Sequence, residues 1–286
     1  MSTEVSKPLL LQLISEGVLF KVMSFLSVDD LDAFAVAYPK ITAKNIVTDH
    51  IRKILKINGT ITLDQSLKNR KLKDIYNKLK NTYKPNSFSL PRRANQYGLT
   101  MVKNIITNTN TDTNQHISFE ANEPFSKEYQ LVCYSHTFGH FVLLRTPIFY
   151  YEIEVLPNAS SHVIEEMIIS IGLTPTKDYP DNKHIGWIGN AIGFHSDDGQ
   201  LFDNTGSGAS FDRPYNSGDV IGVGFNVMKK VVFFTRNGKI VNNKFIPTYC
   251  DTMYPALGFS TCYSVSVNFG QQPFVFDILE EIKKAI

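Results

Sequence analysis

The residues Gly193-Phe194-His195-Ser196-Asp197-Asp198-Gly199 lie within a long run of short β patterns that extends from about Phe141 to Phe276. Two further glycine-punctuated stretches follow, at residues 218–224 and 233–238. Strand, turn and strand recur at short offsets, and no helix-length pattern interrupts them. This arrangement predicts a β-sandwich that works through its loops, and therefore a binding module rather than an enzyme.

The alternation of side chains within this region indicates antiparallel strands. Tyr151, Ile153 and Val155 alternate with Glu152 and Glu154, as expected for a strand that buries one face. We therefore predict a mainly β protein in which residues 117–276 form an antiparallel sandwich. Residues 277–286 form a C-terminal tail that is expected to end in a short helix.

One hairpin is indicated by its turn. Asn237-Gly238 separates two short apolar runs, and both positions of such a two-residue turn require a positive φ angle. Asn and Gly are the residues that adopt this conformation at the lowest cost. The pair predicts a tight β-hairpin.

The charge distribution indicates two parts with different partners. The 286-residue chain has a formal net charge of only +2, but Lys and Arg far outnumber Asp between residues 44 and 93. The remainder of the chain is mildly acidic. A hydrophobic content of 43% is sufficient for a sizeable core.

The sequence gives no sign of export or membrane insertion. The apolar run at residues 9–14 is too short for a signal peptide, and no apolar run approaches the length of a membrane span. Three widely spaced cysteines, Cys133, Cys250 and Cys262, do not suggest a disulfide framework. We expect a soluble protein of the cytoplasm, the nucleus or both, with free thiols.

The N-terminal third is predicted to be largely helical. Apolar residues recur at steps of three and four over residues 8–57, which predicts short helices. Residues 58–116 are predicted to form a basic amphipathic helix followed by a polar linker. The run from 104 to 115 is so polar that we expect an exposed loop there.

The β region resembles the SPRY domain family over about residues 117–276, in the variety that includes Ran-binding-protein-M-like domains. The pieces that carry this resemblance follow the family's order: residues 144–148, 150–155, 171–173, 185–187, 193–199, 218–222, 233–238, 253–255 and 267–270. The resemblance implies a rigid sandwich that binds short peptides or protein loops in a shallow pocket at one end.

The same resemblance suggests which residues contact a partner. The candidates mapped by motif position are Arg145, Thr146, Pro147, Phe194, Phe202, Ser260, Thr261 and Tyr263. Arg145 would donate to a carboxylate or to backbone carbonyls, while Phe202 and Tyr263 would supply rigid apolar surface. The alternatives are that Arg145 is an ordinary surface cation and that Phe194 belongs to the core. The single tryptophan, Trp187, is assigned to the core or to the rim of the pocket.

Residues 14–31 resemble an F-box, a set of short helices that lay apolar side chains into a groove of a partner protein. The candidate contact residues are Val18, Leu19, Val22, Phe25, Leu26 and Leu31. The segment departs from the family where Ser15 replaces the usual Pro and Gly17 the usual Glu, and the Trp common near the end of the motif is absent. The alternative is a helical hairpin that caps the sandwich.

No cofactor or catalytic group is expected. Cys133, His136 and His140 have a spacing that superficially resembles a zinc site, but no fourth ligand lies near them in sequence. Asp197-Asp198-Gly199 lacks the further carboxylates of a calcium loop and is predicted to be a tight turn. The glycine pairs near residues 206 and 222 lack the strand and helix context of a nucleotide site.

The basic segment at residues 68–84 has two interpretations. Its lysines and tyrosines would suit nucleic acid, but its helical leucine spacing favours a solvated amphipathic face.

Together, the two resemblances imply a substrate receptor of an SCF-type ubiquitin ligase. The helices would bind a Skp1-type adaptor of the cullin complex, and the SPRY loops would hold the substrate protein. The alternative is a scaffold or adaptor subunit with no ubiquitin ligase role.

Overall fold

The computed structural model describes residues 85–112, 115–125, 130–137, 140–157, 168–260 and 262–285, together with residues 52, 60–63, 67 and 74–75. The contacts divide the chain into two units, residues 1–81 with 139–144, and residues 82–138 with 145–286. The F-box-like helices were predicted over residues 8–57, and Arg52 is the one residue of this range that the structure describes. All six candidate contact residues of the F-box-like segment lie outside the described residues.

The described part of the chain is rich in strands. In chain order they are β1 (Thr60–Leu63), β2 (Leu99–Val102), β3 (Ile105–Asn108), β4 (Ile117–Glu120), β5 (Gln130–Thr137), β6 (His140–Thr146), β7 (Ile148–Val155), β8 (Ile169–Thr174), β9 (Ile192–His195), β10 (Gln200–Asp203), β11 (Ala209–Ser210), β12 (Val220–Asn226), β13 (Val231–Arg236), β14 (Lys239–Pro247), β15 (Tyr254–Phe259) and β16 (Ser264–Asn268). A 3-10 helix spans Ala94–Tyr97, and helix α1 spans Ile278–Ala285 in the tail that was expected to end in a helix.

The first unit contains a strand where a helix was predicted. Strand β1 pairs in parallel with the first residues of β6, in the register Thr60 to His140. Its sequence, Thr-Ile-Thr-Leu, is rich in β-branched residues, which favour a strand locally. The prediction that residues 58–116 begin with a basic amphipathic helix is therefore wrong at residues 60–63.

The second unit is the predicted sandwich of antiparallel strands. One sheet has the order β11-β10-β9-β8-β15-β4, and the other has the order β14-β13-β12-β7-β16-β3-β2. Tyr151 connects the two sheets from the middle of β7. Its single hydroxyl proton is shared between the carbonyl oxygens of Gly172 and Ala256, at 2.8 Å and 3.0 Å. A fully buried tyrosine is satisfied in this way, so its hydrogen bonds help to hold the sheets face to face.

The predicted hairpin is confirmed. Strands β13 and β14 pair in antiparallel fashion around Asn237 and Gly238, whose φ angles are 49° and 80°. Asn237 also accepts a hydrogen bond from the backbone of Val220 through its side chain, at 2.8 Å. The turn is therefore joined to the start of β12.

The polar stretch predicted as a linker is part of the sandwich. Strands β2 and β3 form a hairpin over residues 99–108, and β3 pairs with β16 through Ile106 and Val265. Leu99 and Ile106 are buried. The expectation of an exposed loop over 104–115 is wrong for residues 105–108, because a strand more than 150 residues away supplies the apolar contacts that the local sequence lacks.

The C-terminal segment covers part of the outer face of the seven-stranded sheet. The ring of Phe276 packs against Tyr150 and Phe233, with centroids 5.2 Å and 5.8 Å apart. Gly222 and Gly224 lie below these rings, where a Cβ atom would overlap the Tyr150 hydroxyl or the Phe233 ring. Glycine is required at both positions because large aromatic rings occupy the space above the strand.

The loop at residues 175–191 covers the outer face of the six-stranded sheet. A Cβ atom at Gly172 or Gly193 would overlap backbone atoms of Ile192 or Ile185. These glycines of β8 and β9 therefore leave a flat floor on which the loop rests. Tyr179 fastens the loop, since its backbone N–H donates to the Glu120 carboxylate at 2.8 Å and its hydroxyl to the His184 carbonyl at 2.6 Å.

Two further properties bear on the sequence expectations. Cys250 and Cys262 carry free thiols. Among the described residues, no helix has both the length and the apolar character needed to cross a membrane.

Candidate partner-binding site

The Asp197-Asp198-Gly199 turn is a structural element. Gly199 has a φ angle of 69°, and a Cβ atom there would overlap the Asp212 carbonyl. The Asp198 carboxylate accepts a hydrogen bond from the backbone N–H of Gln200 at 2.8 Å. The turn thereby directs the chain from β9 into β10, as predicted.

Phe194 and Phe202 lie on opposite faces of the sheet. Phe194 is fully buried among Phe211, Tyr215 and Phe234, with ring centroids 4.9–5.8 Å away. Its side chain therefore belongs to the core and is not available to a partner. Phe202 is on the outer face, where only 7% of it is exposed.

Phe202 belongs to a group of aromatic and imidazole rings. It stacks on His195 with the ring centroids 3.9 Å apart. His195 is followed by His184 at 5.4 Å, and His184 lies 5.2 Å from Trp187 and 4.5 Å from His116. We call His116, His184, Trp187, His195 and Phe202 the ring cluster. The sequence did not indicate it, because β9, β10, the 175–191 loop and the residue before β4 contribute its members.

Burial lowers the pKa values of the histidines in the ring cluster. Desolvation lowers the pKa of His195 to about 4, although a hydrogen bond between its Nε2 atom and the Ile185 carbonyl at 2.8 Å opposes this shift. Desolvation also lowers the pKa of His184 well below its usual value, with smaller contributions from His195 and His116. The imidazoles are therefore neutral at physiological pH.

Residues 145–147, which end β6 and lead into β7, include both structural and accessible residues, and we call them the Arg145 loop. Thr146 is fully buried, and its hydroxyl accepts a hydrogen bond from the Ile148 backbone at 2.8 Å. Pro147 is also buried, and its carbonyl accepts from the Val227 backbone at 3.0 Å. Arg145 is half-buried. Of the three candidates in this loop, Arg145 is therefore the one that a partner can reach.

The loop between β15 and β16 also contains one buried structural residue and one more accessible residue. Ser260 is fully buried and joined to Ile168 by two hydrogen bonds, in which its hydroxyl accepts at 2.9 Å and its backbone N–H donates at 3.0 Å. Tyr263 is half-buried, and its carbonyl accepts from the Asn108 backbone at 2.7 Å. Thr261 lies outside the described residues.

These two loops lie at opposite ends of β7. Ile148, next to Pro147, pairs with Asn226, whereas Val155 at the other end pairs with Val265. A strand rises about 3.3 Å per residue, so eight residues separate the two loops by roughly 20 Å. The structure therefore does not bring the Arg145 loop and the Tyr263 loop into a single pocket.

A cleft on the outer face of the seven-stranded sheet was not foreseen. It has a volume of about 500 Å³ and includes Glu152, Glu154 and Val275 in its lining. The buried Glu152 carboxylate accepts hydrogen bonds from the Tyr150 hydroxyl at 3.1 Å and the Val275 backbone at 3.0 Å. Burial raises the pKa of Glu152, and these hydrogen bonds partly offset the rise. Glu152 thus fastens the C-terminal segment to the sheet.

The comparisons with known proteins agree with this architecture. The SPRY domain family matches residues 148–272. Ran-binding protein 9 of Xenopus laevis is 34% identical over 140 residues, which cover 48% of this chain and 24% of that protein. SPRY domain-containing protein 3 of Pongo abelii is 37% identical over 95 residues, or 32% of this chain and 21% of that protein.

A human SPRY domain crystal structure superposes with a TM-score of 0.46 and 22% identity, covering 60% of this chain and 94% of that one. This chain matches about a quarter or less of the length of each Ran-binding protein. The likeness to those proteins therefore concerns one domain. Residues 148–272 of this chain form a SPRY domain, a protein-interaction module, similar to that of Ran-binding proteins 9 and 10.

Proposed function

We propose that this protein performs no covalent chemistry and binds a peptide or loop of a partner protein through the SPRY sandwich. The observation that carries this proposal is a pair of large exposed side chains beside the Arg145 loop. Val227 is hydrogen-bonded to Pro147, and the next residue, Met228, is 58% exposed. Thr248 is hydrogen-bonded to Lys230, and the next residue, Tyr249, is fully exposed.

This combination of side chains suits a protein interface. Tyr, Met and Arg are enriched at interfaces because they provide apolar area together with directional hydrogen bonds. Met228 lies in the turn between β12 and β13, and Tyr249 follows the end of β14, so strand ends place both connections beside Pro147. We name Arg145, Pro147, Met228 and Tyr249 the Arg145 end of the sandwich.

Affinity purification tests this assignment. The intact chain, Arg145→Ala and Tyr249→Ala are compared with Tyr263→Ala, which alters the opposite end of β7. Partners should be lost from the two variants at the Arg145 end and retained by Tyr263→Ala. Retention of every partner by Arg145→Ala and Tyr249→Ala, with loss in Tyr263→Ala, would assign binding to the other end.

We further propose that residues 8–57 bind a Skp1-type adaptor, which would make the chain a substrate receptor of an SCF-type ubiquitin ligase. The support is the F-box-like apolar spacing of residues 14–31. In this role the chain would raise the effective concentration of the substrate near the transferring enzyme.

Pull-down with a Skp1-type protein tests this role. The intact chain should bind, and the double variant Leu19→Asp plus Phe25→Asp should not. If the intact chain captures SPRY partners but neither the adaptor nor a cullin, the chain is a scaffold subunit instead.

A further inference from the structure

The ring cluster contains buried nitrogen atoms that lack hydrogen-bond partners. The Nδ1 atom of His116, the Nε2 atom of His184 and the Nε1 atom of Trp187 are buried, and none has a hydrogen-bond partner. The three rings lie 4.5–5.5 Å from one another. Native proteins leave few buried polar atoms unpaired, so three in a single cluster point to a bound group.

Hydrogen bonding determines which nitrogen of His184 carries the proton. The Ser170 hydroxyl oxygen accepts the backbone N–H of Ile185 at 3.1 Å and lies 3.0 Å from the His184 Nδ1 atom. Within the described part of the chain, Nδ1 is the only acceptor for the hydroxyl proton. Nδ1 is therefore unprotonated, and Nε2 of the neutral ring carries the hydrogen.

The cluster consequently requires an acceptor. The indole nitrogen of Trp187 can only donate, and Nε2 of His184 donates as well. The neighbouring His195 has no buried nitrogen without a partner, and its Nε2 atom bonds the Ile185 carbonyl at 2.8 Å. A carbonyl or carboxylate oxygen would accept from these two N–H groups.

The charge around the cluster favours an anionic acceptor. The Ser118 hydroxyl donates to the Lys183 carbonyl at 2.6 Å, which places Lys183 beside the segment that carries His116. Desolvation, with a smaller contribution from the positive charge of Lys183, lowers the pKa of His116. Asp198, whose charge acts on His195, accepts a hydrogen bond in the β9–β10 turn, and Asp181, whose carbonyl accepts from the Ser118 backbone, pairs with Arg93 at 3.3 Å. The positive charge near the cluster is therefore that of Lys183, on the side of the neutral His116.

The cluster adjoins the protein surface. Trp187 and His116 are half-buried, and Ile188, the next residue in the loop, is 38% exposed. A side chain of a partner can reach the nitrogens if the Trp187 ring moves aside. The aromatic walls would then pack against its methylene groups.

We propose that His116, His184 and Trp187 form a second binding site that takes a carboxylate side chain, Glu or Asp, of a partner protein. The indole and imidazole N–H groups donate to the carboxylate oxygens, and Lys183 adds charge attraction. This site lies on the outer face of the six-stranded sheet and does not depend on the Arg145 end.

The single tryptophan provides a direct test. Trp187 gives the only indole N–H signal in a ¹H–¹⁵N spectrum of the full chain. The probe is the acetylated and amidated peptide Gly-Glu-Glu-Gly, compared with Gly-Gln-Gln-Gly. We expect the Glu peptide to shift the indole signal saturably, and to bind roughly tenfold more tightly than the Gln peptide, because hydrogen bonds to charged groups are the stronger ones.

Substitutions test which residues bind the Glu peptide. His116→Phe and Lys183→Met should weaken binding of the Glu peptide, while the matched changes His136→Phe and Lys229→Met, at exposed residues elsewhere, should leave it unchanged. The backbone amide spectrum of each variant verifies that it is folded. An indole signal that does not move, or that moves equally with both peptides, would overturn the proposal, as would equal weakening by the control variants.

Discussion

The imidazole of His195 stacks on the ring of Phe202 at a centroid separation of 3.9 Å, with the planes inclined by 22°. The pairing of β9 with β10 places Phe202 opposite Gly193, two residues from His195 on the same face. Gly186 lies above, where a Cβ atom would clash with Phe202. Phe202, a candidate contact residue from the sequence, therefore also supports the ring cluster.

Substitution of Phe202 should destabilise the fold. Phe202→Ala removes a nearly buried ring and its stacking contact with His195, so the free energy of unfolding should fall by about 3 kcal/mol. Urea denaturation measures this loss. Phe245→Ala, at a ring that is 44% exposed, is the matched control and should cost roughly half as much or less. Equal losses in the two variants would contradict the structural role of Phe202.

A methyl group at Gly193 should not be tolerated. A Cβ atom there would overlap the backbone of Ile185, which cannot move without lifting the 175–191 loop. We expect Gly193→Ala to reduce the free energy of unfolding by at least about 3 kcal/mol. Gly206→Ala is the control, because no heavy atom lies within 4 Å of its Cβ position. Its unfolding midpoint should match that of the unaltered chain.

The buried histidines should make stability depend on pH. His195 has a pKa of about 4 in the fold against 6.5 in the unfolded chain. Between these values the unfolded state binds more protons, so stability falls as the pH is lowered from 6.5 towards 4, by at most about 3 kcal/mol. His195→Gln keeps a donor for the Ile185 carbonyl and removes the titration. Its free energy of unfolding should decline less than that of the unaltered chain between pH 7 and pH 5.

Glu120, unlike His195, should make the fold less stable as the pH rises. Burial raises its pKa to about 7, although the hydrogen bond from the Tyr179 backbone opposes the rise. The folded state then binds more protons between pH 4.5 and 7, so the stability from this group is complete below pH 4.5 and is lost as the pH rises through 7. Glu120→Gln should therefore reduce the loss of stability between pH 6 and pH 8. A larger loss in this variant would show that Glu120 does not make the fold less stable as the pH rises.

Arg236 should be sensitive even to a conservative substitution. Its guanidinium pairs with Asp219 at 2.8 Å and Asp212 at 3.3 Å, and it also donates to the carbonyls of Arg213 and Pro214. A lysine cannot reproduce this forked set of donors. Arg236→Lys should thus lower the free energy of unfolding by about 1–3 kcal/mol.

The exposed ion pair between Lys230 and Asp251 is the control for this prediction. Lys230→Met should change stability by less than about 0.5 kcal/mol, since solvent screens an exposed pair. A loss as large as that of Arg236→Lys would show that the number of ion pairs, rather than their burial, determines the effect.

Short sequence patterns predicted the structure correctly where its physical cause lies in the same few residues. Asn237-Gly238 predicted the hairpin because positive φ angles are a property of those two residues. Asp197-Asp198-Gly199 predicted its turn for the same reason. The 105–108 strand was missed because its stability depends on β16, which is distant in the sequence.

The sequence by itself determined a β-sandwich of the SPRY type, since alternation, glycine turns and motif order are all local features. The tertiary structure alone decided which candidate residues reach the surface. Phe194 and Phe202 both lie in short strands, yet sheet packing buries the first in the core and places the second beside His195. The same packing assembles His116, His184 and Trp187 from separate segments, and only their spatial arrangement leaves buried donors that require a partner.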